Sequence, residues 1–248
     1  MGGFCAATYK RGIDFINIPT TLLAMVDAAI GGKTGVDLGF FKNQVGVFAF
    51  PRAVIIDPAF LNTLPYDELK NGYAEIIKHA LIADNSLWLT LQKDGFNQVS
   101  NLIEKSMVIK TEIVSKDPYE KDRRKLLNFG HTVGHALEML SQEPTGRQLA
   151  HGEAVAEGII AESYISVKMT GLPTAEADQI KHFIRRFFPV PTFYKSNFEA
   201  VYELMLNDKK NVNGALKMTL LKSIGKGIIN ISVSKKIIME CLKASLMP

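Results

Sequence analysis

The hydrophobic period of this chain changes at Pro65 from short runs to long helical stretches, and that change limits the folds open to it. Before Pro65 the apolar residues come in short runs. Residues 13–19 alternate as a strand does, and residues 53–57 form a short apolar strand stopped by Pro58. Between them, Thr20 and Thr21 can cap an apolar helix over residues 22–30, which Gly31 and Gly32 close. Strand, helix and strand with short links read as part of a parallel α/β sheet. A doubly wound sheet needs more strands, so the opening reads as the tail of a domain. After Pro65 the period is helical. Helices are expected over residues 66–83, 99–114, 126–140, 154–169, 175–188 and 198–206. A polar loop at 207–214 leads to a hairpin of strands 216–221 and 227–233, and Ser234 can cap a last helix.

Composition removes several classes of function. A 47% hydrophobic and 22% charged content is that of an ordinary globular protein. A net charge of +4 is too small to argue for nucleic acid, and suits small anions better. No apolar run approaches a membrane span, and the first residues lack a charged segment followed by an apolar one, so no signal peptide is expected. Cys5 and Cys241 stand far apart and form no zinc-type pair, which favours a reducing, cytoplasmic setting.

Three of the five histidines fall between residues 128 and 153: His131 and His135 in Asn128-Phe-Gly-His131-Thr-Val-Gly-His135, and His151 in His151-Gly-Glu153. Neutral imidazole is the commonest zinc ligand, and a catalytic zinc takes three protein ligands and leaves a position open. His131 and His135 share a helix face, but Thr132 stands where zinc hydrolases carry Glu, so that signature is absent. Two hydrogen-bonded core histidines are the plain alternative. Glu75 and Lys78, on an otherwise apolar helix, are either a surface pair or site residues. Their neighbours Ala74, Ile76 and Ile77 leave little face for solvent. Spacing also allows Glu75 to pair with His79, a weaker choice than Glu75 with His131 and His151.

Cations recur beside Gly and Asn. Gly31-Gly-Lys33-Thr34 resembles the end of a phosphate loop, but Asp27 occupies the position of the motif's first Gly, so no nucleotide-hydrolase loop is present. Lys33 and Lys42-Asn43 can still face an anion, or lie in solvated turns. Lys110, Arg123-Arg124 and Lys209-Lys210 add further positive charge.

Taken together, the segments Pro19-Thr-Thr-Leu-Leu-Ala-Met-Val-Asp27, Lys42-Asn43, Ala74-Glu75-Ile-Ile-Lys78, Arg124-Lys-Leu-Leu-Asn128-Phe-Gly-His131 and His151-Gly-Glu153-Ala-Val-Ala resemble the 3-dehydroquinate synthase family of sugar-phosphate cyclases. They occur in the family's order and span essentially the whole chain. The resemblance implies an α/β remnant of a dinucleotide-binding domain over 1–64, followed by a mainly α-helical metal- and substrate-binding domain over 65–248. It implies conversion of a phosphorylated seven-carbon keto sugar acid (DAHP) to 3-dehydroquinate and phosphate in the shikimate pathway of aromatic amino acid biosynthesis. The cofactors are NAD and Zn2+ or Co2+, and the route is oxidation, phosphate elimination, reduction, ring opening and aldol closure. Carried over by position, the metal ligands are Glu75, His131 and His151, with His135 beside them in proton transfer. Thr20, Thr21, Asp27, Lys33, Lys42 and the segment Phe60, Leu61, Asn62 and Thr63 correspond to cofactor contacts. Lys33, Asn43, Lys78, Lys110, Arg124, Asn128 and Lys209 or Lys210 correspond to substrate contacts. Arg11 corresponds to a residue that reaches the neighbouring subunit's site, which implies a homodimer, with neither nucleic acid nor membrane as partner. The family's dinucleotide domain begins well before the sequence met here, so a truncated form with weak or absent cofactor binding and turnover is expected. Two other readings are a deoxy-inosose or valiolone type of cyclase and a metal-binding fragment without activity. A metal-dependent alcohol dehydrogenase fits less well, because simple alcohols carry no phosphate for these cations.

Overall fold

The computed structural model describes residues 1–38, 41–142, 148–190, 197–208 and 215–246. Helix α1 (Gly2–Thr8) and a 3-10 turn (Tyr9–Arg11) precede strand β1 (Ile16–Asn17), which pairs in parallel with β4 (Ala53–Val54). The parallel pairing expected from the opening is present, but each strand is two residues long. Residues 13–15 and 55–57 fall outside the ladder. Between the two strands, β2 (Lys33–Leu38) and β3 (Phe41–Phe48) form an antiparallel hairpin, with Lys33 opposite Phe48 and Val36 opposite Val45. The loop reading of Lys33 and Lys42-Asn43 is therefore corrected. These positions lie in the two strands of the hairpin.

The expected helix over 22–30 is mostly a π-helical turn, Ala24–Ala28. Thr21 caps it, its Oγ1 accepting the Ala24 N–H at 3.2 Å. The Ala29 N–H reaches back five residues to the Ala24 carbonyl at 3.0 Å. This wide turn carries Asp27.

The 3-10 turn Pro58–Thr63 opens the helical part, its Asp57 carboxylate accepting the Ala59 N–H. Then follow α2 (Tyr66–Ala83), α3 (Asn85–Asp94), α4 (Val99–Lys116), α5 (His131–Leu140), α6 (His151–Thr170), α7 (Thr174–Arg185) and α8 (Phe198–Asp208). The hairpin β5 (Ala215–Ser223) and β6 (Lys226–Ser234) leads to α9 (Lys235–Leu246). The single helix expected over 126–140 is in fact two elements. A 3-10 turn, Arg123–Asn128, ends before Gly130, whose φ of 79° no helix interior accepts, and α5 starts afresh at His131. Helix α3 lies in a stretch for which the sequence suggested no helix.

Two apolar cores result. One is built on α2, with Trp88, Phe129, Phe183 and Ile159 around Ile76, Ile77 and Leu81. The other gathers α5, α6, α8 and the final hairpin around Leu137, Ile165, Met205 and Leu216. Helices α5 and α6 run antiparallel in backbone contact. A Cβ on Gly158 would overlap the Gly130 carbonyl, so only glycine permits this approach. That closeness brings the first turns of two helices, each beginning with a histidine, over the middle of α2.

Candidate metal centre

Residues 71–82 of α2 are all buried, which places Glu75, Lys78 and His79 inside the protein at no more than 1% exposure each. One Glu75 oxygen, Oε2, accepts from the Lys78 ammonium. The other, Oε1, has no hydrogen-bond partner. It faces His131 Nε2 at 3.5 Å and His151 Nε2 at 3.4 Å. The three donor atoms lie within 4.8 Å of one another. A buried carboxylate oxygen without a partner is costly, and a cation between it and two imidazoles would remove that cost. One carboxylate and two imidazoles suit zinc or cobalt and leave coordination positions free.

Both rings are aimed from behind. His131 Nδ1 lies 3.1 Å from the Phe129 carbonyl, which can only accept, so the proton sits on Nδ1 and the Nε2 lone pair points inward. His151 Nδ1 lies 3.5 Å from Glu138 Oε2. His135 stands one turn after His131, with ring centroids 5.1 Å from His131 and 6.3 Å from His151. Burial, reinforced by the Lys78 charge, pushes His131 down to about 3. Burial also opposes charge on His151, but the neighbouring Glu138 and Glu75 carboxylates outweigh it and raise His151 to about 9. Burial pushes Glu75 up, yet Lys78 and the two imidazoles hold it well below the ordinary carboxylate range.

A charged row continues from this centre. Lys78 Nζ lies 4.0 Å from Asp27 Oδ1, and Lys110 Nζ bonds the same oxygen at 2.6 Å. Asp27 feels burial first, which raises it, but Lys110 and Lys78 bring it down to about 2. Asp27, Glu75 and His79 also lie within 4.8 Å of one another. Two ammonium groups already sit on those carboxylates, so this trio suits a cation less well than the first. His79 instead pairs its Nδ1 with Ser106 Oγ at 2.7 Å.

Arg124 and Asn128 lie on the turn before α5. Arg124 is buried, donates from Nη1 to the Pro118 carbonyl and lies 5.9 Å from the Phe48 ring. Asn128 donates to Glu120 Oε1 at 2.6 Å, and Lys33 pairs with the other oxygen of Glu120. Glu120 thus ties two proposed substrate contacts together, and sequence reasoning missed it. Nothing in its spacing distinguishes it from neighbouring surface charges. Glu138 was missed as well, though an acid three residues after His135 on an apolar helix was a usable signal. Arg11, Thr20, Phe60, Asn62 and Thr63 are exposed, whereas Leu61 is turned into the core. Lys209 and Lys210, and the side chains of Lys42 and Asn43, lie outside the described residues.

The strands of the opening lead into a helical domain that carries a Glu-His-His cluster flanked by buried cations, a candidate divalent-metal site. The chain belongs to the 3-dehydroquinate synthase family: the family's N-terminal model matches residues 1–71 and its C-terminal model residues 72–211. It is 45% identical to the 3-dehydroquinate synthase of Parabacteroides distasonis, over 98% of this chain and 70% of that protein. It is 40% identical to the synthase of a Nitratiruptor species, with the same coverage. Among solved structures, it resembles 2-epi-5-epi-valiolone synthase of Streptomyces hygroscopicus with NAD+ and Zn2+ bound (TM-score 0.85, 29% identity, 98% of this chain and 69% of that one). It also resembles 2-deoxy-scyllo-inosose synthase complexed with carbaglucose-6-phosphate, NAD+ and Co2+ (TM-score 0.84, 28% identity, 98% and 70%). A butanol dehydrogenase of Thermotoga maritima, at 16% identity and TM-score 0.53, shares the fold alone.

Proposed function

We propose that this chain carries the metal- and substrate-binding machinery of a 3-dehydroquinate synthase acting on DAHP. Glu75, His131 and His151 would hold Zn2+ or Co2+, and NAD would lie toward Thr21, Asp27 and Lys33. The single observation that carries the reading is Glu75 Oε1, fully buried and unpartnered between two imidazole nitrogens. When bound, the divalent ion supplies Lewis acidity at a substrate hydroxyl and the dinucleotide accepts and returns hydride.

The protein's own residues account for the rest. Lys78 and Lys110 are ion-paired with carboxylates inside the buried helix layer, where a positive charge acts strongly on a bound phosphate or carboxylate. Arg124 offers a planar fork suited to a carboxylate. Glu120 holds the Lys33 ammonium and the Asn128 amide in fixed positions. His135, within ring contact of both metal-side imidazoles, is placed to pass a proton. The exposed Arg11, with φ at 70°, is the residue proposed to cross into a second copy of the chain.

Phosphate release from DAHP, followed with and without added NAD and Zn2+, tests the reading. Release that needs both supports it. A preference for a neutral sugar phosphate, without the carboxylate of DAHP, would favour the inosose or valiolone reaction instead. Metal content gives a second test, independent of turnover. His131→Ala should lose its zinc, and undiminished zinc would count against the ligand set.

A further inference from the structure

The N-cap residue of helix α5 is Gly130, which has no side chain with which to cap it. The cap comes from another helix. Glu162, on α6 and fully buried, accepts the Gly130 N–H on Oε2 at 2.7 Å and the Val133 N–H on Oε1 at 3.0 Å. These are the N-cap and N3 donors that a capping box would satisfy from within a helix, here taken by one carboxylate in trans. Helix α6 is fixed in turn to α2. The Gly152 N–H, next to His151, donates to Asn71 Oδ1 at 2.9 Å, and Asn71 lies one turn before Glu75. The helices bearing Glu75, His131 and His151 are therefore joined by hydrogen bonds next to each ligand.

We propose that Glu162 is a positioning residue for metal binding: by capping α5 it sets where the His131 imidazole meets Glu75 and His151. Its negative charge at a helix N-terminus also suits the helix dipole. The inference rests on the metal-site reading above and adds a residue that touches neither metal nor substrate.

The test is Co2+ binding to the full chain, read by visible absorption and by competition with a chelator. The wild type is compared with Glu162→Gln and with Ile180→Val, a buried core truncation in α7 that serves as the control for lost stability. Glutamine keeps the volume but offers one accepting oxygen for two N–H groups. Expected is about tenfold weaker Co2+ binding in Glu162→Gln, toward the low end of what support residues give, with altered visible bands. Ile180→Val should keep wild-type affinity and bands even where it melts earlier. Wild-type affinity and spectrum in Glu162→Gln would overturn the inference. Should that variant not fold, Glu162→Asp keeps the charge but is too short to span both N–H groups; weakened binding supports the inference, and unchanged binding overturns it. A wild type that binds no Co2+ would instead overturn the metal-site reading, and this inference with it.

Discussion

The two parts of the molecule on either side of Pro65 are built on opposite terms. Beyond it, α2 runs through the interior and every residue from 71 to 82 is buried, charges included. Before it, the strands form two separate two-stranded pairs, and large apolar side chains such as Ile13, Ile16, Ile18, Val45, Val47, Phe48, Phe50 and Ile55 are exposed. Beyond Pro65, the exposed large apolar residues among those described are Tyr66, Leu89, Val108 and Tyr119. An isolated two-stranded pair is marginal in water, so the opening depends on the helices it touches. The π-helical turn with Asp27, packed on α2 and α4, is that attachment. Site residues from the opening reach the centre through the Asp27–Lys110 and Asp27–Lys78 pairs and through the Lys33–Glu120 pair.

The same truncation in the two parts should break or uphold this contrast most sharply. Ile77→Ala, in the α2 core, should cost about 3 kcal/mol, as large-to-small core changes do. Denaturant unfolding measures it, and a loss below about 1 kcal/mol would mean the helical part can collapse around the gap. Metal loading comes next. At 100 times its dissociation constant, Zn2+ should raise stability by about 2.7 kcal/mol if it binds only the folded state. Hydrogen exchange should locate that gain in the first turns of α5 and α6 rather than in β1 and β4. A gain spread evenly over both parts would show them to be one cooperative unit.

How much of this was legible in the sequence follows from how local each signal is. The ends of α2 were readable because Pro65 and the helical period agree. Helix α3 was not, because Leu87, Leu89 and Leu91 alternate like a strand, although Asp84 offered a cap signal. The β2–β3 hairpin was hidden because Lys33 beside two glycines reads as a loop. The break at Gly130 depends on a positive φ that glycine permits but does not announce. For the site, the ligand-type residues stood out by chemistry alone. The contacts of Lys110 with Asp27, 83 positions away, and of Glu162 with Gly130 are products of packing and leave no mark in spacing. An acidic residue inside the apolar run of α6 was the one visible hint of Glu162.

Asp84 offers a smaller, local test within the helical part. Its Oδ1 accepts the Ser86 and Leu87 N–H groups at 2.8 and 3.1 Å, capping α3. Asp84→Ala should cost about 1 kcal/mol near neutral pH. Burial raises the Asp84 carboxyl, but its bonds with Ser86 and Leu87 outweigh this and lower it below the ordinary value of 3.8. A depressed carboxyl stabilises the fold above its unfolded value and loses that contribution as pH falls through the folded one. The gap between wild type and Asp84→Ala should therefore stay constant from pH 7 to about 5 and close below about 4. A gap that persists in acid would mean the cap acts through shape rather than charge.

The smallest expected effect is the most pointed for the opening contrast. Ile16→Ala removes as much side chain as Ile77→Ala does, but from a residue 55% exposed on β1, and should change stability by no more than about 0.5 kcal/mol. Val47→Lys, on the exposed edge of β3, should do the same while reducing binding of a hydrophobic dye. Both rest on these side chains meeting water. If Ile16→Ala instead cost 2 kcal/mol or more, the side chain would be covered in solution, and the opening would be part of a core rather than a surface attached through Asp27.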